Sequence, residues 1–359
     1  MIRLFQAIAG AEHGGAEAFF VRLAKALQDA PGPVSVTQHI ASRPHAARVA
    51  ALRAAGIPVT ELPFSGWLDF TTRRGLRAEI SRFMPHIVLT WMSRASHMCP
   101  RASPSSPFLH IARLGGYYDL KYYQHCEALI ANTRDIADWI LRQGWQPARV
   151  HYLPNFVTVE PGAPVARASL DTPAKAPLVL AMGRLHANKA FDILIRAVAT
   201  MPGVYCWILG EGPERARLEA LAAECGAADR VRLPGWRDDV AGYYRAADVF
   251  VCPSRHEPLG NVVLEAWAHE KPVLAAASVG PSALLEDEET GLLVPVDDAE
   301  AMAVGLTRLI EQPALARRLA AGGHRVYRAA YTPDVVVAQY VELFRRLLDA
   351  RGIRLGGES

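Results

Sequence analysis

Val249-Phe250-Val251-Cys252-Pro253-Ser254-Arg255-His256-Glu257-Pro258-Leu259-Gly260-Asn261-Val262-Val263-Leu264-Glu265-Ala266 contains a strand, a turn and the opening of a helix. The apolar run Val249–Cys252 is short and unalternating, as a strand buried on both faces requires. Pro258 and Gly260 interrupt it, and from Gly260 the apolar residues recur at helical spacing. A buried strand feeding a helix through a short loop is the building unit of a parallel sheet covered by helices.

The same unit repeats along the chain. Strand-like runs occupy residues 2–9, 34–40, 59–62, 86–92, 108–112 and 128–131, with helical periods at 17–29 and 134–143. After residue 165 the alternation restarts, with strands expected at 178–182, 204–209, 231–233, 249–252, 273–276 and 292–294. Helices are expected between them at 192–201, 214–225, 240–246, 261–269 and 299–311. The Pro-rich stretch from Glu160 to Pro177 lacks any period and reads as a linker. From Pro333 the tail reads as one amphipathic helix. The expected architecture is α/β, with two doubly wound Rossmann-like domains, 1–165 and 172–331, facing across a cleft. A helix over 332–351 is expected to cross back to the first domain.

Size and composition agree with two soluble domains. The chain has 359 residues, more than one core usually organises, with 51% hydrophobic and 21% charged residues. No run of eighteen apolar residues suggests a transmembrane helix. The amino terminus is strand-like and carries no cleavage pattern, so a cytoplasmic protein is expected. Five scattered cysteines, none at metal-ligand spacing, read as reduced thiols. The net charge of +3 conceals an asymmetry. Residues 1–165 hold 17 Lys/Arg against 11 Asp/Glu, a balance of +6, and the remainder holds 22 against 25, a balance of −3. The first half is thus suited to an anionic surface or a phosphorylated partner. Nothing resembles a nucleic-acid-binding arm. No Asp-x-Asp motif follows a strand, and Glu286-Asp287-Glu288-Glu289 reads as a solvated helix end, so no metal is expected.

Ligands of open α/β sheets bind beyond the carboxyl ends of the strands, and the polar motifs fall there. Glu257 lies in the loop and Glu265 just inside the helix, roughly 10 Å apart at a helical rise of about 1.5 Å per residue. That spacing suits two ends of one elongated ligand. The amides of Leu259, Gly260 and Asn261 lie between them at a helix start, where anions are received. Met182-Gly183-Arg184-Leu185-His186-Ala187-Asn188-Lys189 sets two cations on a glycine turn, a fork at Arg184 and a point charge at Lys189, which suits a diphosphate. In the first domain, Gly14 and Gly15 separate a strand from a helix and allow close backbone approach to a phosphate. Their spacing is not that of the dinucleotide fingerprint.

Taken in order, these motifs resemble the retaining nucleotide-sugar glycosyltransferases of family 4, which have the GT-B architecture. The resemblance covers nearly the whole chain. It is strongest from Gly183 to Pro295, through Val231-Arg232-Leu233-Pro234-Gly235, Ala247-Asp248-Val249-Phe250-Val251, the Glu257 and Glu265 pair, and Thr290-Gly291-Leu292-Leu293-Val294. It implies that Arg184 and Lys189 hold the donor diphosphate and that Glu265 takes the ribose hydroxyls. Glu257 and the amides of Leu259, Gly260 and Asn261 would take the donated sugar, while Gly14 and Gly15 approach the phosphate and acceptor. The implied activity is metal-independent transfer of a hexose, with retention, to a hydroxyl of a glycan or glycolipid of the cell-envelope or lipopolysaccharide type.

Two departures stand out. Where many members carry a histidine after the fifth strand, this sequence offers Arg113, with His110 three residues earlier. Ala190 and Asn261 replace residues that are often glycine and aliphatic or aromatic. Two rivals stay open, a nucleotide-sugar 2-epimerase and a non-catalytic sugar-nucleotide-binding subunit. The segment from Trp67 to Arg82, with four arginines beside aromatic residues, reads as an amphipathic helix with a solvated basic face. Peripheral docking on an anionic membrane is the second reading.

Overall fold

The computed structural model describes residues 1–11, 15–30, 35–66, 69–104, 107–159, 161–237 and 239–353. It divides the chain into two units, Met1–Phe156 with Pro333–Ser359, and Val157–Thr332. The first unit begins with β1 (Ile2–Ile8), α1 (Gly15–Gln28), β2 (Val36–Ser42), α2 (Ala46–Ala54), β3 (Val59–Glu61) and α3 (Phe70–Phe83). It continues with β4 (Ile87–Trp91), α4 (Met92–Met98), β5 (Leu109–Leu114), β6 (Ala128–Ala131), α5 (Arg134–Arg142) and β7 (Val150–Tyr152). These strands form one parallel sheet in the order β3-β2-β1-β4-β5-β6-β7. All five residues of β4 and all six of β5 are buried, which is why the sequence there runs without polar alternation.

The second unit holds β8 (Leu178–Met182), α6 (Phe191–Ala199), β9 (Tyr205–Leu209), α7 (Arg215–Glu224), β10 (Val231–Gly235) and α8 (Ala241–Ala246). It then adds β11 (Val249–Cys252), α9 (Asn261–Ala268), β12 (Val273–Ala276), α10 (Val279–Leu284), β13 (Leu292–Val294), α11 (Ala299–Glu311) and α12 (Pro313–Ala330). Its sheet, also parallel throughout, runs β10-β9-β8-β11-β12-β13. Both sheets are doubly wound, with the strand order reversing beside the first strand of each unit.

The terminal helix α13 (Pro333–Ala350) belongs to the first unit. Its Val336, Val337, Tyr340, Leu343, Phe344 and Leu348 are buried in one cluster with residues of β1 and α1. The division between units falls at Phe156/Val157, ahead of the expected boundary at 165, and the stretch read as a linker is fixed to the second unit. Arg167 donates to the carbonyls of Ala246, Ala174 and Ala176 and makes two bonds of 3.0 Å to Asp248. Val165 N donates to Gly242 O at 3.0 Å, and Trp207 Nε1 donates to Thr172 Oγ1 at 2.9 Å. Ala246, Asp248, Gly242 and Trp207 lie far from this stretch in sequence, so composition alone could not reveal the attachment.

Helix α12 was not anticipated either; its interior holds Gly322-Gly323, residues that disfavour a helix. In the fold a Cβ on Gly323 would stand 2.2 Å from the Trp267 ring, so the glycine allows α12 to lie directly against α9. Among the described residues no helix is long and apolar enough to cross a membrane. The cysteines are free thiols, and burial followed by the nearby Glu257 pushes Cys252 up to about 11.

Candidate functional site

In the second unit the strand order reverses between β8 and β11. The loops that follow these two strands carry Gly183 to Ala190 and Pro253 to Gly260. A ligand of a doubly wound sheet is received at such a reversal. The first loop closes through a short 3-10 turn, Ala187–Lys189, whose His186 side chain accepts from Asn188 N. It enters α6 through Ala190, fully buried at φ 50°. A left-handed alanine costs about 1 kcal/mol relative to glycine.

Lys189 and Glu257 meet across this reversal. Lys189 Nζ donates to Glu257 Oε2, and the carboxylate is 7% exposed. The other carboxylate oxygen accepts from Gly260 N at 3.3 Å, where α9 begins without a side-chain cap. The Lys189 stem lies over Gly183, 3.4 Å from where a Cβ would project. Gly280 N, on α10, donates to Glu257 O at 2.7 Å. A Cβ on Gly280 would stand 2.4 Å from that carbonyl, so only glycine permits this approach.

Glu265, one turn into α9, accepts from the Tyr244 hydroxyl at 3.3 Å; the phenol also faces Val262 O at 3.2 Å. Tyr244 is fully buried and stacks on His269, with centroids 4.8 Å apart and planes 11° from parallel. Burial, then the charges of Arg245 and Lys271, lower His269 to about 4. Arg184 is exposed and has no partner among the described residues. Leu259 and Asn261 flank Gly260 at half-buried positions.

Sequence reasoning missed the residue that joins the two loops. Arg255 makes a bidentate pair with Asp192 of α6, at 2.9 and 2.8 Å, and donates to Ala187 O at 2.8 Å. Its Nε pairs with Asp297, beyond β13. Burial alone would raise the Asp192 carboxyl, but the Arg255 hydrogen bonds and charge hold it below its ordinary value. Arg255 lies two residues before Glu257, yet nothing local names Asp192, 63 residues away, as its partner. Among the described residues no group of three or more His, Cys, Asp or Glu is arranged to hold a metal ion.

In the first unit Gly14 lies outside the described residues, and Gly15 opens α1 with free space where a side chain would be. Ala11, after β1, is held by Glu17, which accepts from its N–H at 2.7 Å, and by Arg48, which donates to its carbonyl at 2.6 Å. Arg113 and His110 are both interior. Arg113, 1% exposed, lies over the rings of Phe19 and Trp91 at 4.6 and 4.7 Å. It donates to Tyr340 Oη at 2.9 Å and to Asn155 Oδ1. His110 is 4% exposed, with Nε2 3.0 Å from Thr90 Oγ1, and burial followed by the charge of His125 lowers it to about 3. The hydrogen bonds of both side chains are thus directed at interior neighbours rather than outward. Of the basic segment, Trp67 and Leu68 lie outside the described residues. Phe70 is 67% exposed on α3, with Arg74 and Arg77 exposed beside it.

Residues 163–326 match the family described as Glycosyl transferases group 1, and residues 13–161 match Glycosyltransferase Family 4. The lipopolysaccharide core biosynthesis glycosyltransferase LpsD of Rhizobium meliloti (strain 1021) is 37% identical over 336 residues, 93% of this chain and 95% of that protein. LpsE of the same strain is 36% identical over 337 residues, covering 92% and 95%. The crystal structure of Anabaena HepE in complex with UDP and glucose superposes with a TM-score of 0.81 at 19% identity, covering 96% of this chain and 100% of that one.

Proposed function

This chain belongs to the group 1 glycosyltransferases, and on that premise we propose that it moves a hexose from a nucleotide diphosphate sugar to a hydroxyl of a lipopolysaccharide-core type acceptor. The observation that carries the donor assignment is the Lys189 and Glu257 pair at the strand-order reversal, beside the start of α9, where Gly260 N donates to Glu257. Lys189 and Arg184 take the diphosphate and stabilise charge as it builds on the leaving nucleotide. Glu257, with the amides at Leu259, Gly260 and Asn261, takes hydroxyls of the sugar, and Glu265 takes those of the ribose. The acceptor class follows from the two lipopolysaccharide core relatives. Gly14 and Gly15 form the phosphate and acceptor approach in the first unit, and we assign Arg113 and His110 structural roles there.

The reaction retains anomeric configuration by front-face attack within a short-lived ion pair, and needs no protein-held metal. The enzyme works at the cytoplasmic face of a membrane, touching anionic lipid through Phe70, Arg73, Arg74 and Arg77.

Incubation with UDP-, GDP- and ADP-sugars and a truncated lipopolysaccharide core tests the activity. A transferred sugar with its donor configuration, in the presence of chelator, is expected. Epimerised donor, or donor binding without transfer, would replace this reading with one of its two rivals. Replacing Lys189 with Ala is expected to weaken diphosphate binding by about 1.5–3 kcal/mol. For the membrane contact, Arg73, Arg74 and Arg77 changed to Glu should abolish co-sedimentation with anionic liposomes; unchanged co-sedimentation defeats it.

A further inference from the structure

Lys189 and Glu257 come from loops 68 residues apart, and their own ion pair is one of the few links between those loops. An ion pair whose members must turn to a ligand cannot also hold the loops in place. Among the described residues, the other hydrogen-bonded links between them are the His256 N to Asn188 O bond at 3.2 Å and the guanidinium of Arg255. That guanidinium engages Ala187 O in the turn that carries Lys189, both oxygens of Asp192 on the first turn of α6, and Asp297 beyond β13. Loops following β8, β11 and β13 are therefore fastened at one side chain, two residues from Glu257. A planar fork can satisfy a carboxylate bidentately while its other N–H groups reach two further acceptors; an ammonium cannot hold all of these at once.

We infer that Arg255 is a positioning residue of the donor site. It sets Lys189 at diphosphate-binding distance from the sugar end of the site, and it keeps that spacing when Lys189 leaves Glu257 for the ligand. This inference rests on the proposed role of Lys189 at the diphosphate. Arg255 acts through Lys189, so its contribution to diphosphate affinity should vanish when Lys189 is absent. A residue that merely stabilised the fold would leave no such signature.

The experiment is a double-mutant cycle on the full chain, with UDP, GDP and ADP as probes in titration calorimetry. The variants are K189A, R255K and the pair together, and thermal midpoints are recorded for each. K189A is expected to weaken the bound diphosphate about tenfold or more. R255K, which keeps the charge but loses the fork, is expected to weaken it about fivefold in the wild-type background and less than twofold beside K189A. Asp192→Asn should reproduce the R255K pattern. Equal losses from R255K in both backgrounds, or no loss in the wild type, overturn the inference while leaving the donor assignment intact. Wild-type affinity in K189A, or no binding of any of the three diphosphates, removes the donor assignment and this inference with it.

Discussion

Lys189 is the counter-ion of Glu257: its ammonium donates to a carboxylate that is 7% exposed and also holds the amide of Gly260. If the ammonium serves a diphosphate and the carboxylate a sugar, each partner blocks the other until a donor arrives. Part of the binding energy of one end of the donor then goes into freeing the residue that reads the other.

Glu257→Gln separates the two roles. It keeps the shape of the loop and the oxygen facing Gly260 while releasing Lys189. Nucleoside diphosphate affinity is expected to rise about threefold to tenfold, the worth of a partly buried ion pair. Transfer is expected to fall by about a hundredfold, as a charge-assisted contact to a sugar hydroxyl is lost. Calorimetry and steady-state transfer check the two halves separately. Weaker diphosphate binding in this variant would mean that the pair does not compete with the ligand.

Glu257, Lys189 and Glu265 could be singled out in the sequence because each lies in a short loop–helix unit whose spacing is local; their roles toward a donor are the proposal. Arg255 was in plain view, but its function is defined by Asp192, and no local pattern links residues 63 apart. Arg113 shows the converse. It sits at the end of a strand, where ligand residues gather, yet its partner is Tyr340, 227 residues away on α13. Most strands were legible in both units because buried parallel strands read as largely apolar runs. The three-residue β7 and the Gly-containing α12 were not, the first too short to show a period and the second disguised by a close helix contact. The stretch read as a linker shows a related limit: Pro defines a linker by composition, while Arg167 and its acceptors Ala246 and Asp248 define a fixed segment by contact.

Tyr244 offers a test of the ribose assignment. Its hydroxyl has one proton and two acceptors, Glu265 Oε2 and Val262 O, both near 3.3 Å. Tyr244→Phe leaves the stack on His269 but removes the hydroxyl's hydrogen bond to the Glu265 carboxylate. The preference for a ribonucleoside diphosphate over its 2′-deoxy counterpart is expected to narrow about two- to fivefold, in line with one lost hydrogen bond of about 0.5–1 kcal/mol. Paired titrations of the two ligands measure it. An unchanged preference here, with Glu265→Ala abolishing it, would show that Glu265 reads ribose without help from Tyr244.

Stability should fall as pH drops below neutrality, and His110 should account for part of the slope. Its folded value, about 3, lies below the ordinary 6.5 because burial disfavours the imidazolium. The unfolded chain therefore binds a proton near pH 6.5 that the folded chain refuses. The contribution is complete above pH 6.5 and is lost as pH falls toward about 3, at up to about 1.4 kcal/mol per pH unit. His151 and His269, each lowered to about 4, act in the same direction. Denaturant titrations at pH 7 and pH 5 should show wild type losing more stability than His110→Gln, whose amide can still meet Thr90. Parallel pH profiles for the two proteins would remove His110 from the account.

Gly280 tests whether the Glu257 loop must sit where it does. In Gly280→Ala the new Cβ would meet Glu257 O at 2.4 Å and the backbone of Leu259 at 2.9 Å. All of these are main-chain atoms, so no side-chain rotation relieves the clash and the loop itself must shift. Overpacking of this kind costs about 1–3 kcal/mol of stability. The functional cost should be larger than that loss alone implies. A displacement of about 1 Å at Glu257 and the α9 amides is expected to reduce transfer about a hundredfold, even at temperatures where the variant is fully folded. Gly66→Ala, where a Cβ meets nothing within 4 Å, serves as the control and should stay within about 0.5 kcal/mol of wild type with full activity. If Gly280→Ala were destabilised but transferred sugar at the wild-type rate when folded, the loop would tolerate displacement, and the placement of Glu257 against the helix amides could not be what the reaction depends on.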